Sequence, residues 1–176
     1  RGLVGSEMCI RDRSWNPSAK AKAAGAPVKA DISKLQAGQM IVVEWRGKPV
    51  YVLKRTEQQV EELAEIDQYL KDPASNNADQ PQYIEGAARA IKPEIMVFVG
   101  LCTHLGCAPK FRPEVGTPDL GGKAWVGGFF CPCHGSRFDL AGRVYSGSPA
   151  SQNLIVPPYS FEGDNVLVVG VDQGAA

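Results

Sequence analysis

Two short segments contain both histidines of this 176-residue chain and four of its five cysteines. The first, CTHLGC, covers residues 102–107 and is called box one below. The second, CPCHGS, covers residues 131–136 and is called box two. Together they offer four thiols and two imidazoles, which are good ligands for transition metals. A fold that brings the boxes together would build a metal centre, and no other feature constrains the chain as strongly.

The number of donors narrows the choice of metal. Zinc takes four ligands and an ordinary iron–sulfur cluster takes four cysteines, so six donors exceed both sets. A two-iron cluster with cysteines on one iron and histidines on the other would use one cysteine and one histidine of each box. The remaining cysteines could then form a disulfide. Closing a loop of about twenty-five residues would stabilise the fold by roughly 3.5 kcal/mol in the chain-entropy model.

Two other interpretations of the boxes stay open from the residues alone. Two cysteines and two histidines also suit zinc, although the other two cysteines then have no role. A set of purely structural disulfides would explain the cysteines but not the histidines, which occur in register with them.

The composition excludes some classes of protein. At 44% hydrophobic residues the chain can bury a core, and its length predicts one domain. The 19 basic residues balance the 19 acidic residues, which argues against nucleic-acid binding. No run of about eighteen apolar residues occurs, so no membrane-spanning helix is expected within this sequence.

The first thirty residues lack any apolar periodicity. Residues 1–13 resemble the translation of a sequencing adaptor, so we expect a leader that is non-native or disordered, and Cys9 within it receives no role. Residues 14–30 are rich in Ala, Lys, Gly and Pro, a composition typical of a hinge or linker.

Residues 31–100 begin with a predicted β-hairpin. The runs QMIVVEW and PVYVLKR flank Arg46–Lys48. Because Ile41–Val43 is continuously apolar, we expect it to be buried on both faces. Residues 56–73 then predict a helix that opens with a capping box of Thr56 and Gln59.

The remaining apolar runs predict further strands, at residues 95–99, within 123–130 and at 166–171. Gly127–Gly128 indicates a bulge or close packing in the second of these. Short strands, many glycines and one helix together predict an all-β domain.

The two boxes resemble those of the Rieske iron–sulfur subunits of ubiquinol–cytochrome c reductase, of the bacterial type. The sequence GSPASQNL, residues 147–154, is similar to the proline loop of that family, and residues 156–170 are similar to its closing strands. The resemblance implies a Rieske fold. It would comprise an antiparallel β-sandwich base domain of residues 31–100 and 143–176, with one helix in an insertion, and an inserted cluster-binding subdomain of residues 101–142.

The resemblance also implies the ligands of one [2Fe-2S] cluster. It makes Cys102 and Cys131 the ligands of the buried iron, and His104 and His134 the ligands of the outer iron. Each box should then form a loop at the tip of the subdomain, with the two histidines nearest to solvent.

Three further roles, for four residues, follow from the same resemblance. Cys107 and Cys133 would form a disulfide. Leu105 would shield the cluster from water, and Ser136 would donate its hydroxyl hydrogen bond to a bridging sulfide.

The implied function is electron transfer in the respiratory cytochrome bc complex. His134 would meet ubiquinol, and the electron would pass to a c-type cytochrome as the head moves on its linker. Cytochrome b would supply most of the quinol site, so the chain should not be active alone. A membrane anchor preceding this sequence, in the inner membrane of a bacterium, would hold the head on the periplasmic side, where a structural disulfide persists.

The alternative is a soluble Rieske ferredoxin that donates electrons to an oxygenase. Three features argue against this ferredoxin: the second pair of cysteines, Ser136 and the alanine-rich linker. The midpoint potential separates the two, since it should be positive for a quinol-oxidising subunit and negative for an oxygenase ferredoxin.

Phe138 stands where many members of the family carry a tyrosine whose hydroxyl reaches a cysteine sulfur. Phenylalanine keeps the packing but removes a hydrogen-bond donor, and donors to sulfur stabilise the reduced cluster. We therefore expect Phe138→Tyr to raise the midpoint potential in a redox titration. An unchanged potential would contradict this role of the position.

Overall fold

Strands dominate the computed structural model, which describes Lys20 and residues 25–173. The predicted leader, residues 1–13, lies outside this part of the chain. So does most of the predicted linker, of which Lys20, in helical conformation, and residues 25–30 are described. The strands are β1 (Val28–Asp31), β2 (Met40–Trp45), β3 (Lys48–Lys54), β4 (Ile95–Val99), β5 (Lys110–Arg112), β6 (Gly128–Phe130), β7 (Arg137–Asp139), β8 (Tyr159–Glu162) and β9 (Val166–Val169).

The nine strands form three antiparallel sheets of three strands each. The first sheet has the order β1-β9-β8, the second β2-β3-β4 and the third β5-β6-β7. The predicted all-β class is confirmed. Because β1 begins at Val28, the last three residues of the predicted linker belong to the first sheet.

The third sheet is built entirely from the segment predicted to be the cluster-binding subdomain. Its strands lie between residues 110 and 139, whereas the first two sheets use strands between 28–99 and 159–169. One hydrophobic core nevertheless includes side chains of all three sheets, among them Leu167, Val52 and Phe129. The rings of Phe98 and Phe129, 4.8 Å apart in an edge-on arrangement, join the second sheet to the third.

The hairpin of β2 and β3 is confirmed, with Trp45 opposite Lys48 across the turn. Arg46 and Gly47 both have positive φ angles, of 53° and 69°, as a tight two-residue hairpin turn requires. The prediction that Ile41–Val43 is buried on both faces is wrong, because the Val42 side chain is 55% exposed. Exposed and more buried positions alternate along β2, so one face of this strand is open to solvent.

The predicted helix begins at the expected residue but is much shorter than expected. Helix α1 spans Glu57–Glu62, and both hydrogen bonds of the capping box between Thr56 and Gln59 are present. A 3₁₀ turn follows at Asp67–Tyr69 instead of further α-helical turns. No helix in the described part of the chain has the length and apolar character that crossing a bilayer requires.

A buried arginine explains where the helix ends. Nη2 of Arg143 donates to the carbonyl oxygen of Leu63 over 2.6 Å, and Nη1 donates to the carboxylate of Asp67 over 2.7 Å. These contacts hold the chain after α1 against residue 143, while Ile66 and Leu70 turn into a second small apolar cluster. In a continued α-helix the carbonyl of Leu63 would instead accept from the backbone N–H of Asp67, four residues further on.

The same guanidinium binds the third sheet. Nε of Arg143 donates to Asp139 over 2.7 Å, and both side chains are fully buried. Asp139 also accepts hydrogen bonds from the backbone N–H groups of Ala141 and Arg143. Because both charges are paired and hydrogen-bonded, removing one partner would leave the other uncompensated in the interior.

We expect Arg143→Leu to lower the free energy of unfolding by about 3 to 5 kcal/mol, since it leaves the Asp139 carboxylate buried without its partner. Urea denaturation followed by fluorescence measures the change. The matched control is Lys29→Met, which breaks the exposed pair with Glu162 and should cost at most about 1 kcal/mol. Equal losses for the two variants would contradict the structural role of Arg143.

Candidate metal centre

The two boxes fold into loops with the same backbone hydrogen bonds. In box one the N–H of Cys102 donates to the carbonyl of Cys107 over 2.7 Å, and the N–H of Gly106 donates to the carbonyl of Cys102 over 2.9 Å. Box two repeats both bonds at the equivalent positions, over 2.8 and 2.9 Å. Each loop thus closes on its first cysteine, so that the intervening residues project from a tight turn.

A glycine at the fifth position makes both turns possible. Gly106 has a φ of 83° and Gly135 a φ of 81°, in the left-handed region that residues with a side chain rarely adopt. The glycine that the two boxes share in sequence therefore has a conformational cause.

The strands bring the two loops together. Box one follows β4 and leads to β5, while box two connects β6 to β7, and β5 and β6 are paired neighbours. Cys107 and Cys133 form a disulfide between the loops, with their Cα atoms 6.5 Å apart. The sulfur atoms of these two residues and of Cys131 lie within 4.8 Å of one another, but two of the three are bonded together and are not free to bind a metal.

The other two cysteines are free thiols in the interior. Cys102 is 4% exposed and Cys131 is 2% exposed. Burial raises the pKa of the Cys102 thiol, and the neighbouring Cys131 raises it further, while hydrogen bonds from the His104 backbone and the Ser136 hydroxyl oppose the increase. A bound metal cation favours the thiolate instead, so these thiols are suited to a positively charged ligand.

The two histidines meet at the outer side of the boxes. Their ring centroids are 4.8 Å apart and the rings are nearly perpendicular. His134 is exposed and His104 is partly buried. Nδ1 of His104 is buried without a hydrogen-bond partner among the described residues, as expected of an atom whose partner is a metal.

The donor set therefore fits a two-iron cluster. Two buried thiols and two adjacent imidazoles, one from each loop in both cases, match the two-cysteine and two-histidine ligation of that cluster type. Because Cys107 and Cys133 are bonded to each other, the six donors of the two boxes are reduced to the four that such a cluster requires. Zinc would also accept this donor set, and metal analysis distinguishes it.

Three further predicted positions differ in their surroundings. Ser136 is fully buried, and its Oγ accepts a hydrogen bond from the N–H of Ala150 over 3.0 Å. Phe138 is also fully buried in the main core. Leu105 is 70% exposed, so its predicted shielding role would depend on a surface that covers it.

The close packing predicted at Gly127–Gly128 is confirmed at Gly128. A Cβ atom there would overlap the backbone of Phe138 on the neighbouring strand, so only glycine allows β6 and β7 to pair at this distance.

Sequence reasoning missed the residues that hold the proline loop, residues 147–154. Lys71 donates from Nζ to the carbonyls of Ser148 and Ala150, and Ser148 Oγ accepts from the N–H of Arg137 over 3.1 Å. Lys71 lies 77 residues before Ser148, and nothing local in the sequence marks such a contact.

Comparison with known proteins agrees with this geometry. Residues 26–160 match the family model described as "Rieske [2Fe-2S] domain". The chain is 52% identical over 163 residues to the ubiquinol-cytochrome c reductase iron-sulfur subunit of Allochromatium vinosum, covering 93% of this chain and 78% of that protein. It is 40% identical to the protein of the same name from Bradyrhizobium diazoefficiens, covering 88% and 78%.

A solved structure is similar over nearly the whole chain. The chain described as "Hyperthermophilic respiratory Complex III" superposes with a TM-score of 0.52 at 25% identity, covering 94% of this chain and 90% of that one. The family model, the relatives and the paired boxes agree, and we conclude that this chain belongs to the Rieske [2Fe-2S] domain family.

Proposed function

We propose that this chain is the iron–sulfur subunit of a respiratory cytochrome bc complex, taking one electron from ubiquinol and passing it to a c-type cytochrome. The observation that carries the proposal is the joining of the two boxes by a disulfide, around two buried thiols and two adjacent imidazoles. Two bacterial relatives, 52% and 40% identical, bear the name of this subunit and support the same role.

The chain's own residues divide the centre into an inner and an outer half. We assign the inner iron to Cys102 and Cys131, whose burial keeps water from the thiolates. The outer iron belongs to His104 and His134, which lie closer to solvent. When bound, the cluster supplies a carrier for one electron, and its neutral imidazole ligands give it a higher potential than four thiolates would.

His134 is the residue we assign to the quinol. It is the more exposed of the two histidines, so a substrate hydroxyl can approach its ring. A neutral imidazole held through one nitrogen carries its hydrogen on the other, so the outer nitrogen of His134 would have to lose this hydrogen before it could accept the proton of the hydroxyl. Electron and proton would then leave the quinol at the same edge of the protein.

The exposed Leu105 suggests how this edge is kept dry. A large apolar side chain that is 70% exposed beside the histidines suits an apolar wall on a partner. We propose that this wall belongs to a quinol site in the cytochrome b subunit, so that docking removes water from both imidazoles. The chain alone should then not oxidise quinol at a useful rate.

The disulfide also supports a location. Structural disulfides persist outside the reducing cytosol, and both named bacterial relatives are subunits of this reductase. We propose that the head lies on the periplasmic side of a bacterial inner membrane, held by an N-terminal anchor that precedes the described residues.

The second candidate, a soluble ferredoxin for an oxygenase, would share the ligands and the fold. The observation against it is the surroundings of Ser136. This side chain is fully buried beside the free thiol of Cys102, and its Oγ accepts a hydrogen bond from the N–H of Ala150. A hydroxyl placed to donate to sulfur raises the potential, as a quinol-oxidising centre needs.

EPR spectroscopy with graded reductants tests the proposed function. We expect the full chain to bind two irons and two sulfides, and to show the rhombic signal of a reduced two-iron centre after ascorbate alone, because the potential is positive. A signal that requires dithionite would favour the ferredoxin. Zinc in place of iron would contradict both.

The disulfide should stabilise the pair of loops. We expect the Cys107→Ser/Cys133→Ser variant to lose roughly 3.5 kcal/mol of unfolding free energy in the chain-entropy model, since its cysteines are 26 residues apart. Urea denaturation measures this loss, and the loss of bound iron on standing measures the opening of the site. The Cys9→Ser variant is the control, and a double variant as stable as this control would contradict the prediction.

A further inference from the structure

The proline loop is held from two sides by hydrogen bonds. On one side Lys71, from the insertion between β3 and β4, donates to the carbonyl of Ala150 over 2.7 Å and to the carbonyl of Ser148. On the other side the N–H of Ala150 donates to Ser136 Oγ over 3.0 Å. Ala150 is fully buried, so it lies between the lysine and the serine without access to water.

These bonds fix the direction of the Ser136 hydroxyl. A serine hydroxyl has one hydrogen to donate and two lone pairs that accept. The Ala150 N–H occupies one lone pair from its side, which directs the hydrogen away from the proline loop. The Ser136 hydroxyl is also among the groups that lower the pKa of the Cys102 thiol, so a donor lies beside that sulfur. The hydrogen therefore points to the sulfur-rich side of the site.

Lys71 itself is held in place by the chain around it. Its backbone N–H donates to the carbonyl of Val144 over 3.0 Å. The next residue, Asp72, accepts at its carbonyl from Asn153 Nδ2 over 3.0 Å, and Asn153 Oδ1 accepts from the N–H of Val144 over 2.9 Å. The ammonium group thus extends from a fixed backbone position towards the two loop carbonyls.

We propose that Lys71 is a positioning residue that raises the reduction potential of the centre through Ala150 and Ser136. Its ammonium group holds the loop carbonyls, the held loop keeps the Ala150 N–H on Ser136 Oγ, and the serine then keeps its hydrogen on sulfur. A donor to sulfur stabilises the reduced, more negative state. This inference rests on the proposed function, because it assigns Ser136 to a bound two-iron cluster.

The test is a redox titration of the full chain with its cluster, followed by EPR. We expect Lys71→Met to shift the reduction equilibrium about threefold to tenfold towards the oxidised state, the effect of weakening one hydrogen bond. That shift corresponds to a potential lower by about 28 to 59 mV for a one-electron couple. Lys71→Arg, which keeps both the charge and the donor, should recover most of the potential.

The Lys110→Met variant is the control for the effect of removing a positive charge on the potential. Lys110 is an exposed lysine on β5 of the third sheet, so this variant removes the same charge near the site. We expect a smaller shift than for Lys71→Met. Equal shifts for the two variants would overturn the inference, since charge would then explain both.

A double-variant comparison shows whether Lys71 acts through Ser136. Ser136→Ala should lower the potential by itself, and adding Lys71→Met to it should then change little, because the hydroxyl is already absent. If Lys71→Met lowered the potential equally in the presence of Ser136 and in the Ser136→Ala background, the inference would be overturned. Amide hydrogen exchange at residues 147–151 should also become faster in Lys71→Met, and unchanged protection there would overturn it.

The two proposals fail in different ways. A chain that binds no two-iron cluster, or whose cluster is reduced only by dithionite, contradicts the proposed function and this inference with it. A chain with an intact cluster of positive potential that does not respond to Lys71→Met overturns the role of Lys71 alone.

Discussion

The buried guanidinium of Arg143 connects the parts of this molecule that the centre depends on. It pairs with Asp139 at the end of β7, and it binds the chain that follows α1 through Leu63 and Asp67. Because β7 begins directly after box two, the insertion is fastened to the strand that leaves the metal centre. The insertion is therefore part of the site's support rather than an appendage of the base domain. Together with the backbone bond from Lys71 to Val144, this attachment brings residues 63–72 alongside residues 143–150, where Lys71 reaches the proline loop.

The centre itself depends on two loops of one design. Each closes on its first cysteine through the same pair of backbone hydrogen bonds and turns at a glycine of positive φ. Such a loop places its first cysteine inside and its histidine outside, so two copies facing each other give an inner pair of thiols and an outer pair of imidazoles. The arrangement of the candidate ligands, with sulfur buried and nitrogen near solvent, thus follows from backbone geometry. The disulfide then fixes the distance between the copies.

Local patterns in the sequence predicted some features of this structure and missed others. The capping box of Thr56 and the β2–β3 hairpin depend on neighbouring residues, and both are present. The helix predicted to reach residue 73 ends early because Arg143, eighty residues away, takes the carbonyl of Leu63. Val42 is exposed because one face of β2 is open to solvent, which apolar runs do not reveal. In the same way the two boxes predict a set of metal ligands from local sequence, while the roles of Lys71 and Ala150 depend on contacts between distant segments.

Two other buried arginines hold the segment after β7 against the rest of the protein. Arg55, at the end of β3, donates to the carbonyl of Leu140 over 3.1 Å, and Arg89 donates to the carbonyls of Ala141 and Leu154 over 2.9 and 2.8 Å. Burial lowers the pKa of both side chains to about 10, so both remain charged at neutral pH. Arg55 fastens the segment after β7 to the end of β3, and Arg89 fastens it to the loop before β4. Separating these parts would leave charged groups without partners. If the head carries electrons between a quinol site and a cytochrome, the base and the metal centre must travel as one body.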